Sequence, residues 1–274
     1  MNLKKECHRP SDMSVLVAPF EMNNWRLFRW VLFLLISLGW TTLGWAGPPF
    51  ETDDPEPPEL GHWEIFLGAT ALQVQNDLSG TAPFLAVNWG GLPDTQFSLT
   101  EQAAFNSPAG LNSAYGYGDT QLSVKYRFLH ETEGTPQAAV FPQVDLPTGD
   151  SGKGLGAGQV QFLLPLWLQK SWGPWTSFGG GGYWIDPGPG NKNWVFLGWA
   201  IQRDLSSRFT LGGELFYHSA SSDGLSDNVG FNVGGIINFD PVDHLVFSAG
   251  RDLLQGGNQF TGFLAYRWTF PGEE

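Results

Sequence analysis

The residues able to do acid–base, nucleophilic or metal chemistry are few and scattered. His62, His130, His218 and His244 fall on separate stretches, and none has a second ligand at metal-binding spacing. The only cysteine, Cys7, lies near the start of the chain. His218 is followed directly by Ser219. On an extended strand these two point to opposite faces, and the residue sharing the histidine's face is Ala220, so base and nucleophile do not meet. The glycine-rich "GDSGKGLGAG" (149–158) has Gly154 after Lys153 where a phosphate loop needs Ser or Thr, and no helical pattern follows it. It reads as a surface loop. No catalytic residue, metal or cofactor is expected, and the chain is not expected to be an enzyme. A lipid hydrolase is the least favoured reading.

The side chains that stand out instead are charges set among apolar neighbours, and the elements carrying them explain why. From residue 62 onward the sequence shows no 3.6-residue period. Twelve runs of about ten residues alternate between apolar and polar positions, separated by Gly, Pro, Asn, Asp and Ser. The runs are 62–75, 83–90, 95–105, 118–129, 137–146, 158–170, 175–185, 193–203, 208–218, 228–239, 245–252 and 258–270. In "QLSVKYRF", Leu122, Val124, Tyr126 and Phe128 share one face, while Gln121, Ser123, Lys125 and Arg127 share the other. In the last run, Phe260, Leu264, Tyr266, Trp268 and Phe270 oppose Thr261, Arg267 and Thr269.

An apolar face also suits a soluble β-sandwich, so further features decide. Runs of this length match a tilted strand crossing hydrocarbon, which takes about 9–11 residues, better than the usual ~5–6 of soluble strands. Connections after odd runs are longer than those after even runs, as in outer-membrane barrels. Trp63, Trp89, Trp175, Trp268 and Phe270 fall at the short-turn end, and Trp184, Trp194 and Tyr217 near the long-loop end, the places for two aromatic girdles. Pro83, Pro142 and Pro165 lie inside runs, where a closed barrel tolerates them only at bulges or strand ends.

The expected fold is all-β: a transmembrane antiparallel up-and-down β-barrel of about 12 strands over residues 62–270, with a short tail at 271–274. Alternation phase puts Lys125, Arg127, Glu214, His218 and Arg267 in the lumen. With this many strands the bore should be narrow or part-occluded.

The stretch before the barrel is of two kinds. Residues 30–45 read "WVLFLLISLGWTTLGW" behind Arg26 and Arg29 and exit through Ala46, the pattern of a signal peptide over 1–46, with Met22 an alternative start. Residues 47–61, "GPPFETDDPEPPELG", are acidic and proline-rich. They read as an extended periplasmic spacer, or as a candidate plug in which Asp53, Asp54 or Glu56 meets inward Lys125, Arg127 or Arg267.

Charge narrows the partners. The chain of 274 residues has a formal net charge of −13, and its first 46 residues hold five of the 14 basic and three of the 27 acidic groups, leaving −15 on the remaining 228. Nucleic acid is not expected, because its binding needs Lys and Arg to neutralise phosphates. Expected partners are outer-membrane lipid, small-molecule solutes and, during assembly, the barrel insertion machinery.

Several segments, "PFETDDPEPPELGHWEI", "AVFPQVDLPTGD", "LPLWLQKSWGPWTSFGGGGYW", "GELFYHSA" and "LAYRWTF", resemble the outer-membrane barrel transporter family named for the MetA pathway of phenol degradation. The resemblance runs from Pro49 to Phe270. It implies an outer-membrane barrel that passes small molecules, aromatic or hydrophobic compounds among them, and it carries over no catalytic residues. The expectation is therefore passive passage of small solutes across the outer membrane of a diderm bacterium. A structural or adhesive barrel without transport is the alternative.

Overall fold

The structure is a computed structural model that describes residues 49–254 and 259–270. The signal peptide expected over 1–46 and the tail at 271–274 lie outside the described residues. Fourteen strands make one antiparallel sheet: β1 (Trp63–Val74), β2 (Asp77–Leu92), β3 (Thr95–Ser107), β4 (Ala114–Tyr117), β5 (Thr120–Leu129), β6 (Gln137–Val140), β7 (Gln143–Leu146), β8 (Gln161–Trp172), β9 (Trp175–Ile185), β10 (Trp194–Ser206), β11 (Phe209–His218), β12 (Asn228–Asn238), β13 (Asp243–Asp252) and β14 (Gln259–Phe270). β1 pairs with β14 along its whole length, Trp63 opposite Phe270 through Val74 opposite Gln259, so the sheet closes on itself. Closure removes the edge strands that an open sheet must protect.

The fourteen strands fill twelve positions in the wall. β4 and β5 both pair with β3 and together make one wall strand, broken at Gly118–Asp119, where an extra residue bulges the ladder. β6 and β7 likewise share one position between β5 and β8. Phe141 and Pro142 separate them, opposite Pro165 of β8, and the Phe141 N–H reaches the Pro165 carbonyl at 3.3 Å. Pro83 sits at the register shift between Thr81 and Phe84. Each of the three prolines thus falls beside a ladder irregularity, or opposite one, where a missing N–H is tolerated.

The boundaries differ from expectation at the first long-loop connection. A loop is expected over 76–82, but β2 starts at Asp77 and β1 turns through Gln75, whose φ of 55° makes the turn tight. The expected 106–117 loop carries β4. At the other end, Pro93–Asp94 joins β2 to β3 and Gly173–Pro174 joins β8 to β9.

Lipid-side and lumen-side residues separate by alternation. Leu215 is 61% exposed and its neighbour Glu214 is 3% exposed, which fixes the phase of β11. Leu122, Val124, Tyr126 and Phe128 are exposed on β5 while Lys125 is buried. This inverts a soluble protein: the greasy side chains cover the outside and the ionic ones are enclosed. Trp63 stacks on Trp89 at 5.5 Å between ring centroids, and Trp89 meets Phe97 at 6.0 Å, giving the short-turn end an outer aromatic band. The expected upper girdle is only partly of this kind. Trp184 stacks on Trp194 at 5.3 Å, but Trp194 shares the phase of buried Phe196 and packs with the lumen aromatics, so this pair faces inward.

Candidate functional site

The lumen-facing wall combines a polar set with an aromatic set, and residues 49–61 lie against both. The segment leaves β1 at the short-turn end, tied by hydrogen bonds from the Gly61 N–H to the Gly90 carbonyl at 2.7 Å and from the Gly90 N–H to the His62 carbonyl at 2.9 Å. Reading back along the chain, it climbs towards the long-loop end. Glu56 Oε1 accepts from the side-chain amides of Gln137 at 2.5 Å and Gln169 at 2.9 Å. Lys125 Nζ lies 3.1 Å from Asp53 Oδ1 and 3.3 Å from Asp54 Oδ1. Glu214 accepts the Glu51 N–H at 2.9 Å on Oε1, and both the Thr52 N–H at 2.9 Å and the Thr52 hydroxyl at 2.6 Å on Oε2. At the top, Glu51 Oε2 is 3.0 Å from His218 Nε2.

Sequence chemistry explains why a strip of this kind can thread a lumen. Pro55, Pro57 and Pro58 are buried and have no N–H to leave without a partner, and they hold the chain extended. The Asp54 and Glu56 N–H groups are taken up by the Asp53 and Asp54 carboxylates. Two wall glycines make room. A Cβ on Gly198 would lie 2.0 Å from Thr52 Oγ1, and one on Gly90 would lie 2.1 Å from the Glu59 carbonyl oxygen. Thr52 is fully buried as a result.

The electrostatics follow from burial. Enclosure raises the Asp54 carboxyl, and the Asp53 and Glu56 charges add to this against the opposing pull of Lys125, leaving it pushed up to about 7. At the short-turn end, Asp94 behaves oppositely. Partial burial works against its charge, but the Arg127 guanidinium, 2.7 Å and 3.1 Å away, with His130 at 3.0 Å, holds it below the usual carboxylate range.

Of the residues predicted for the lumen, Lys125, Glu214 and His218 all contact the 49–61 segment. Arg127 instead bonds to Asp94 in the turn beside it, because it sits at the short-turn end of β5 where that carboxylate is nearest. Arg267 is fully buried and 3.8 Å from Glu64 on the neighbouring strand. Asp53 and Asp54 meet Lys125, and Glu56 meets two glutamines in place of a cation. Gln137, Gln169, Glu51, Thr52 and Asn232 escape sequence reasoning. Asn232 donates to Glu214 at 2.6 Å and is on the lumen phase of β12, the one signal that could have selected it.

The aromatic set lies on the wall from β6 to β11. Phe141, Trp167, Phe196 and Phe216 form a buried cluster joined by Trp194. The His218 ring stands 5.2 Å from Phe196 and Phe216 and 5.3 Å from Trp194. Lys125 Nζ lies 4.8 Å from the Phe141 ring centre, linking the aromatic and ionic sets. Ser219, just past the end of β11, accepts the Val195 N–H on Oγ at 2.8 Å, while His218 Nε2 faces Glu51. Among the described residues, no three His, Cys, Asp or Glu side chains converge as a metal site would need.

A closed twelve-strand wall with an apolar exterior and an ionic interior defines the architecture of outer-membrane β-barrels. Solved structures bear this out. An outer membrane channel from Pseudomonas putida F1 is similar at 16% identity with a TM-score of 0.64, covering 79% of this chain and 98% of that one. The KdgM porin in complex with disordered oligogalacturonate is similar at 10% identity and a TM-score of 0.52, covering 76% and 99%. The translocator domain of the autotransporter NalP from Neisseria meningitidis is similar at 10% identity and 0.53, covering 90% and 96%. At such identities the likeness concerns the fold. No protein-family model matches the sequence. No curated protein matches it either.

Proposed function

We propose that the chain is an outer-membrane channel of a diderm bacterium, giving passive passage to small solutes. The observation that carries this reading is the enclosed polar and aromatic wall inside a lipid-facing shell, with the proline-rich segment 49–61 lying against that wall. A barrel built only for anchoring or adhesion has no need of buried Lys125, Glu214 and Arg267, whose enclosure is costly unless each is matched. The channel named for Pseudomonas putida F1 shares the architecture, which supports the reading. The finer assignment, to the transporter family named for the MetA pathway of phenol degradation, rests on the sequence resemblance. Residues 49–61 act as a plug that narrows the bore, and Lys125, Glu214 and His218 hold it in place.

Swelling of proteoliposomes in a series of sugars, amino acids and phenols tests the proposal. Passage of the smaller members is expected. Impermeability to all of them, with the barrel folded, would leave a structural or adhesive barrel as the account.

A further inference from the structure

Within a channel, the contacts of residues 53 and 54 have a second meaning. The Asp53 and Asp54 carboxylates converge on one lysine, Lys125, whose side chain is 5% exposed and whose ammonium also faces the Phe141 ring at 4.8 Å. A buried cation beside an aromatic wall recognises a particular kind of molecule: a flat apolar body with a carboxylate at one end. Trp167, in the same cluster, adds an indole N–H that is buried and has no acceptor among the described residues. In a close-packed protein interior an unmatched donor costs free energy, which marks this wall as incompletely satisfied.

We propose that Asp53 and Asp54 occupy the solute site of the pore, and that the site's own ligands are small aromatic carboxylates. The carboxylate of such a solute takes the place of the Asp53 and Asp54 side chains on Lys125. Its ring lies against Phe141 and the Trp167, Phe196 and Phe216 rings. The acidic segment is then an internal competitor: it holds the site in the resting channel and yields to the solute.

This inference rests on the channel reading but can be separated from it, since binding and passage are read independently. Equilibrium dialysis of labelled benzoate against the detergent-solubilised full-length protein measures binding, with benzyl alcohol as the uncharged comparison. Saturable benzoate binding is expected. Lys125→Gln should weaken it by about tenfold or more, the loss of a charge-assisted contact, while Lys125→Arg retains most of it. Deleting residues 50–59 should tighten it, because the competitor is gone. That variant keeps the test open if Lys125→Gln does not fold, as judged by heat-modifiable migration. Benzoate that binds no better than benzyl alcohol, or equally in wild type, Lys125→Gln and the deletion, overturns the proposal. Binding without any solute passage in liposomes would keep the site and remove the conduit.

Discussion

Thr52 and Glu214, 162 residues apart, share two hydrogen bonds to a single carboxylate oxygen, one from the Thr52 N–H at 2.9 Å and one from its hydroxyl at 2.6 Å. With the Glu51 N–H on the other oxygen, a single wall side chain satisfies three donors of the segment. Bonds to a charged acceptor are worth more than neutral ones, and this residue is enclosed, so Glu214 is the principal clamp.

Glu214→Ala should therefore release the segment without opening the barrel. Losing the clamp is expected to cost about 2 kcal/mol of docking free energy, which raises the undocked population roughly thirtyfold. Protease cleavage within 50–59 should speed up accordingly while the wall stays resistant. Unchanged cleavage would show that the clamp contributes nothing.

The backbone of β10 tests the same docking by shape. Gly198→Ala sets a Cβ 2.0 Å from Thr52 Oγ1, an atom already fixed by Glu214. Overpacking of this kind costs about 1–3 kcal/mol. Segment cleavage should again increase, whereas the equivalent change at Gly262, where a Cβ meets nothing within 4 Å, should leave it unaltered.

Acidity should tune the plug through Asp54. The carboxyl has an ordinary value of 3.8 when the segment is free and about 7 when docked, so the docked state binds the proton more tightly. The Asp54 contribution to docking is fullest below 3.8 and is lost as pH rises through about 7. Lys125, Asp53, Glu56 and the Arg267 charge all act on the group. Channel activity should increase from pH 4 to 7, and Asp54→Asn should flatten that rise. A rise of equal size in Asp54→Asn would place the titrating group elsewhere.

Phase along a strand is legible from sequence, and height in the barrel is not. The alternation of Leu122, Val124, Tyr126 and Phe128 with Ser123, Lys125 and Arg127 is enough to turn Lys125 inward, because a strand has no other way to hide it. The same reasoning turns Arg127 inward but says nothing of Asp94, which becomes its neighbour only once β2, β3 and β5 are in register. Trp184 and Trp194 misled for a related reason. Tryptophans near a strand end suit a girdle, but the phase set by Phe196 places Trp194 inside. The early start of β2 was hidden because Gln75 supplies a left-handed turn without the glycine that usually signals one. The acidic strip is readable as proline-stiffened and complementary to inward cations, yet its partners Gln137 and Gln169 are uncharged and emit no such signal.

Single-channel conductance after deletion of residues 50–59 tests most directly whether the segment obstructs the lumen of a channel. The account predicts a larger and steadier current than the full-length protein gives under the same salt and voltage. A current unchanged by the deletion, in a barrel shown to be folded, would contradict it.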